Sequence, residues 1–271
     1  MIIRKTEAQI DRMRRAGRLV GHTLSAVVEA ARPGVSLQEL DALAERVIRS
    51  SGGTPSFLNY RPHPSVPPFA GTLCLSPNDW VVHGVPGPTR LDEGDILSVD
   101  CGAIVDGWHG DAAVTIPIGE VDEAGRRLIA ATEQAMWAGI AKARPGNKLS
   151  DIGHAVEQAA APGGYGVVRE YGGHGIGTRM HEEPHVPNHG RPGRGMKLAR
   201  GLVIAIEPML NEGDPDTQVL ADGWTVVTCD GRRSAHFEHT VAITADGPQV
   251  LTLLDGADQN DWLGGSRALA T

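Results

Sequence analysis

Residues 91–116 read LDEGDILSVDCGAIVDGWHGDAAVTI, and the pattern returns as LARGLVIAIE at 198–207 and HFEHTVAI at 236–243. Leu91-x-x-Gly94-x-Ile96-Leu97-x-Val99-Asp100 matches Leu198-x-x-Gly201-x-Val203-Ile204-x-Ile206-Glu207, and His109-x-Asp111-x-x-Val114-x-Ile116 matches His236-x-Glu238-x-x-Val241-x-Ile243. Upstream the doubling continues. Ala31-Arg32-Pro33-Gly34 reappears as Ala143-Arg144-Pro145-Gly146, and Leu37, Leu40 and Glu45 match Leu149, Ile152 and Glu157 at the same offset of 112. One such match can arise by chance. Three in the same order argue for a duplicated helix-helix-sheet half. The expected fold is therefore α+β, with halves at about 6–118 and 122–250 inside one domain, 1–271, facing each other around a pseudo-twofold axis. A site between the halves is the natural place for a pocket.

The helices announce themselves by their starts. Thr6-Glu7-Ala8-Gln9 and Ser36-Leu37-Gln38-Glu39 read as capping boxes. Ile10, Met13, Val20, Leu24 and Val27 recur at helical spacing after the first, until Pro33-Gly34 stops the run. Leu37, Leu40, Ala44, Val47 and Ile48 follow the second, until Gly52-Gly53. No linker stands out. The stretch RPHPSVPP at 61–68 reads as a surface loop inside the first half.

Composition narrows the class. A chain of 271 residues can bury roughly three quarters of its unfolded surface. Asp+Glu number 33 against Lys+Arg 25, with no basic stripe of the kind that tracks nucleic acid. No apolar run approaches the ~20 residues of a membrane span, and the N-terminus lacks a signal-peptide core. Cys74, Cys101 and Cys229 are odd in number and contain no C-x-x-C pair, which points to a reducing cytoplasm. Glycine, at 35 residues, is well above its usual share of ~7%, which implies many tight turns or close backbone approaches.

The repeat aligns acid with acid: Asp100 with Glu207, and Asp111 with Glu238. A hairpin looping at Val105-Asp106 sets position 100 opposite 111, with Cβ atoms ~5 Å apart. Two carboxylates so close on buried strands need a proton, a partner or cations between them. A single strand acid is most often solvated, but four placed by an internal symmetry are harder to explain that way. The imidazole candidate is His174, in Gly172-Gly173-His174-Gly175-Ile176-Gly177. Oxygen ligands with one imidazole suit Mn, Fe, Co or Zn, and bridging carboxylates hold paired ions ~3.5–4 Å apart. His181-Glu182-Glu183-Pro184-His185 satisfies H-E-x-x-H, but that zinc pattern needs a helix, and Pro184 and Pro187 argue against one.

With these residues in hand, the chain resembles the methionine aminopeptidases in their short bacterial form. The carrying motifs are PSFLNY (55–60), CLSPNDWVVHGVP (74–86), SVDCGAIVDGWHGDAAVT (98–115), GGHGIGTRMHEEPHVPN (172–188), AIEPML (205–210), DGWTVVT (222–228) and FEHTVAIT (237–244). They run over nearly the whole chain. The resemblance implies the pseudo-twofold "pita-bread" fold and removal of the initiator methionine from nascent proteins by a hydroxide held between two divalent ions. It implies Asp100, Asp111, His174, Glu207 and Glu238 as metal ligands, with Asp111 and Glu238 bridging. It further implies His83, His181 and Glu207 as catalytic residues, His181 stabilising the oxyanion and Glu207 shuttling the proton. Tyr60, Phe69, Cys74, Met180 and Trp224 match the walls of a methionine pocket, with His83 and His181 beside them. The implied partners are peptides and nascent chains beginning with Met, with the ribosome a further candidate. The chain is expected to be a cytoplasmic monomer that binds neither nucleic acid nor membrane.

Two rivals stand beside this reading. One is an Xaa-Pro peptidase of the same fold, a class that usually carries a large extra N-terminal domain. The other is a peptide-binding relative without catalysis, which the five competent ligand positions disfavour. One feature departs from the family pattern. Tyr60 and Phe69 are nine apart where the resemblance implies a spacing of three. Residues 61–68 thus contain an insertion of about six, expected to form a stiff flap that leaves both rings in place, since long surface insertions cost little closure entropy.

Overall fold

The computed structural model describes residues 2–254 and 257; the part of the expected 1–271 domain beyond them lies outside the described residues. Helix α1 (Glu7–Ala30) starts at the Thr6 capping box, and α2 (Leu37–Ser50) at the Ser36 box. In both, the cap hydroxyl accepts from the N3 backbone amide while the N3 side chain returns to the cap amide. Two otherwise orphaned N–H groups are thereby satisfied. The second half repeats the plan with α3 (Glu123–Lys142) and α4 (Leu149–Ala160). Met13, Val20, Leu24 and Val27 of α1 and Leu37, Leu40, Ala44 and Ile48 of α2 are buried. Burial of each of the larger side chains contributes on the order of 2 kcal/mol before entropy is counted.

These helices cover a nine-stranded sheet to which both halves contribute. Strand Ile96–Val105 pairs with Trp108–Pro117, that strand with Glu238–Thr244, and that in turn with Val203–Ile206, all antiparallel. The central seam therefore joins the second strand of each half. The α+β duplicated architecture implied by the repeats is the one observed. Helix α1 lies close against the sheet: a Cβ added to Gly110 would stand 2.6 Å from the Gly17 amide nitrogen. Two glycines thus let a helix and a strand approach to backbone contact. Strand side chains alternate between faces, so Asp111, next to Gly110, lies on the face away from α1.

The first hairpin corrects the sequence reading. It turns at Asp106-Gly107, not Val105-Asp106, and pairs Asp100 with Ala113 and Gly102 with Asp111. Asp106 and Gly107 have φ of 48° and 79°. Two left-handed residues make a type I′ turn, which Asp-Gly favours and a β-branched valine resists. Moving the turn centre by one residue shifts the register by two, so Asp100 and Asp111 stay on one face but become diagonal neighbours.

Candidate metal centre and pocket

Register alone assembles the acidic cluster. One row crosses the sheet as Cys74, Asp100, Ala113 and Glu238. The pairing of His239 with Ile206 carries that row to Glu207, one residue past its strand end. The adjacent row runs Gly102, Asp111 and, by the same register, Thr240, Ala205 and His174. Thr240 Oγ1 accepts from the Asp111 amide at 3.1 Å and donates to the Asp111 carbonyl at 2.8 Å, which locks the seam. All five ligand candidates thus stand on two neighbouring rows of one face, interleaved with Gly and Ala that leave space between them.

The distances agree. His174 Nε2 is 3.7 Å from Asp111 Oδ2 and 3.5 Å from Glu207 Oε1. Asp111, His174 and Glu238 offer ligand atoms within 4.8 Å of one another, and so do Glu207, His236 and Glu238. Burial, and then the neighbouring carboxylates, raise Asp111 and Glu238 well above the usual range. Burial pushes Asp100 up to about 7 and Glu207 to about 8. Burial likewise lowers His174 to about 3, so its imidazole is neutral and able to ligate. Buried Asp100 Oδ1, Asp111 Oδ1 and Glu238 Oε1 have no hydrogen-bond partner among the described residues. Cations placed among them would supply those partners and offset the mutual repulsion, so the donor set fits divalent ions.

His181 and His185 belong to neither ion-holding group. Glu182–Val186 is a strand, so H-E-x-x-H has no helix on which to act, as its prolines implied. His236 was missed in the sequence as a site residue. It is buried, its Nε2 lies 3.8 Å from Glu207 Oε2, and that nitrogen lacks a hydrogen-bond partner among the described residues. The signal was the repeated His-x-acid pattern, His109 two positions before Asp111 and His236 two positions before Glu238.

Beside the acids lies an apolar cluster that holds Phe69, Cys74 and Met180, with Tyr60 and Trp224 packed on it. Every residue matched to a methionine pocket is therefore in one place. Phe69 meets Trp224 edge-on at 5.2 Å and Phe57 at 6.5 Å. His83 packs between Tyr171 at 5.6 Å and Trp224 at 6.2 Å, and burial lowers its pKa to about 4. The His181 ring sits 4.3 Å from that of His174, and its Nδ1 is 2.7 Å from the Tyr60 hydroxyl.

The 61–68 insertion is closed at its neck. Asn59 N–H donates to the Phe69 carbonyl, and Phe69 N–H to the Tyr60 carbonyl, both at 2.9 Å. Within the loop Arg61 Nε donates to the Val66 carbonyl at 2.8 Å, and prolines fix φ. Tyr60 and Phe69, at either end, both pack in the apolar cluster, while most of residues 61–68 is exposed. From outside the loop, Trp224 Nε1 donates to the Pro67 carbonyl at 2.8 Å; that group is exposed, so water can replace it. Deleting Pro62 through Pro67 should change KM for Met-Ala-Ser by less than about threefold, well under the 1.4 kcal/mol of a tenfold effect. A tenfold or larger change in a folded, metal-binding deletion variant would mean that the loop shapes the pocket.

Buried acids on one sheet face, neutral imidazoles at hand and an apolar cluster alongside are the groups a metal-dependent hydrolase needs. The model of metallopeptidase family M24 matches residues 11–245, and the chain belongs to that family. A methionine aminopeptidase of Clostridium perfringens is 48% identical over 94% of this chain and 100% of its own. The crystal structure of methionine aminopeptidase from Rickettsia prowazekii superposes with a TM-score of 0.90 at 41% identity, covering 93% of this chain and 100% of that one. Within the family, this places the chain with the methionine aminopeptidases. A prolidase of Pyrococcus furiosus, at 23% identity, TM-score 0.74 and coverage of 92% and 65%, shares the fold alone.

Proposed function

We propose that the chain hydrolyses the first peptide bond of peptides and nascent proteins that begin with methionine. The observation that carries this reading is the convergence of Asp100, Asp111, His174, Glu207 and Glu238 on two adjacent rows, flush against the Tyr60–Phe69–Cys74–Met180–Trp224 recess. In this reading Asp111 and Glu238 would be shared between two divalent ions, of Co, Mn, Fe or Zn, with His174 and Glu207 helping to hold one and Asp100 the other. Bound there, such ions act as Lewis acids that polarise a carbonyl and acidify water.

The chain's own groups do the rest. The recess takes the methionine side chain, whose thioether suits aromatic and sulfur surfaces. Glu207 Oε accepts a proton from the attacking water and returns it to the leaving amine. With Tyr60 O–H as the donor in its 2.7 Å contact with His181 Nδ1, the assignment this reading requires, a neutral His181 carries its hydrogen on Nε2 and can donate to the developing oxyanion. His83, kept neutral by burial and held between two rings, orients the substrate or donates to the scissile nitrogen. Among the described residues no helix is long and apolar enough to cross a membrane. A cytoplasmic, monomeric enzyme working on emerging chains, with or without docking on the ribosome, is the setting this chemistry suits.

The test is a metal titration with Met-Ala-Ser against Ala-Pro peptides. Cleavage of Met-Ala-Ser alone, proportional to bound metal, is the expected result; preference for Ala-Pro would favour the Xaa-Pro rival. A finer expectation concerns the second residue, beside the His83 wall. Methionine should leave readily before Gly, Ala, Ser, Thr, Pro, Val or Cys. Efficient release before Leu or Lys, measured as kcat/KM, would contradict the enclosed pocket.

A further inference from the structure

Glu182, the acid of the H-E-x-x-H motif, has no part in the proposed reaction. Its side chain is only 2% exposed and meets Lys5 Nζ, itself 1% exposed, at 2.7 Å. Its other oxygen, Oε1, accepts from the backbone amides of Thr178 at 3.1 Å and Arg179 at 3.3 Å. These amides belong to the turn that leads to Met180 and His181. Gly177, which opens the turn, accepts from the His109 amide at 2.9 Å. A Cβ on Gly177 would stand 2.5 Å from Glu182 Oε1 and 2.8 Å from Lys5 Cε. The glycine is therefore what lets the ion pair close beneath the turn. Lys5 is fixed in its own right, its amide donating to the Gly201 carbonyl at 2.6 Å.

A buried ion pair is poor evidence for stability, because desolvation can cancel its attraction. Here the carboxylate also fastens two backbone amides, three and two positions before His181, whose ring stands 4.3 Å from that of His174. We propose that Lys5 and Glu182 are a positioning pair that holds the Gly177–His181 turn, and through it sets His181 against the acidic cluster. The inference rests on the role given to His181 above. It assigns the N-terminal segment a part in the reaction, though Lys5 touches no reacting atom.

The experiment is Lys5→Met, made alone and with His181→Ala. Misplacing an oxyanion donor should lower kcat by about tenfold or more, with bound metal unchanged. In the His181→Ala background the same substitution should cost less than about threefold, the non-additivity of residues that act as one unit. Hydrogen exchange at the Thr178 and Arg179 amides should be faster in Lys5→Met. Equal losses in both backgrounds, or unchanged kcat and exchange, would overturn the proposal. Should Lys5→Met leave a buried charge that prevents folding, Lys5→Met/Glu182→Gln removes both charges and is judged by the same two comparisons. Full activity of His181→Ala by itself would remove the His181 role instead, and exchange at the two amides would still report whether the pair holds the turn.

Discussion

Asp111→Asn and Glu238→Gln should each abolish nearly all turnover, by at least ~1000-fold, beyond the 10–100-fold typical of losing an outer partner of a metal ligand. Glu238 is the member common to both ion-holding groups, and Asp111 is diagonal to it across the seam. An amide keeps the shape of either side chain but removes the charge and one good oxygen donor. A bridging position exposes both ions to that loss at once, so elemental analysis should show bound metal falling together with kcat. Full activity with unchanged metal stoichiometry in either variant would refute the dinuclear assignment. Both side chains are buried and lie among like charges that raise their pKa. The neutral substitutions should therefore leave the metal-free fold intact or more stable, which thermal unfolding can check.

His181→Ala should cut kcat by ~100–1000-fold, the scale for one oxyanion donor, while metal content stays unchanged. The ring stands 4.3 Å from His174, yet it belongs to neither group of ligand atoms. Tyr60 is the natural companion test. Its hydroxyl, 2.7 Å from Nδ1, sets the tautomer in the proposed scheme, so Tyr60→Phe should lower kcat by a smaller factor in the same direction. Loss of a metal ion from His181→Ala, read by elemental analysis, would make His181 a ligand and revive the zinc-motif reading.

What the sequence showed directly was local. Thr6-x-x-Gln9 and Ser36-x-x-Glu39 are complete within four residues, so both helix starts could be read from the chain. The four acids were legible because duplication wrote each of two acidic positions twice. The hairpin register was misread because a single turn residue decides it, and left-handed geometry at Asp106 and Gly107 outweighed a pattern that also fitted the earlier centre. His236 was passed over because the repeat marks it only as the counterpart of His109, and its closeness to Glu207 comes from its pairing with Met209, which no local pattern announces. Lys5 and Glu182 are 177 positions apart, and no spacing rule joins residues so distant. The insertion was visible as a spacing, but its closed neck depends on backbone bonds that no side chain announces.

The two-row layout also bears on how such a chain can change over generations. Adding or removing one residue between Trp108 and Asp111 would invert every side chain downstream of the event. Asp111 would then point at α1, where Gly110 now leaves no space for even a methyl group beside Gly17. Such a lineage would lose a ligand and jam a helix in one step. A change in a closed-neck loop, by contrast, leaves the strand register as it is and disturbs only its neck and the exposed bond from Trp224 to the Pro67 carbonyl. Length variation in descendants is thus channelled into segments like 61–68, while the strands can diverge only by substitution.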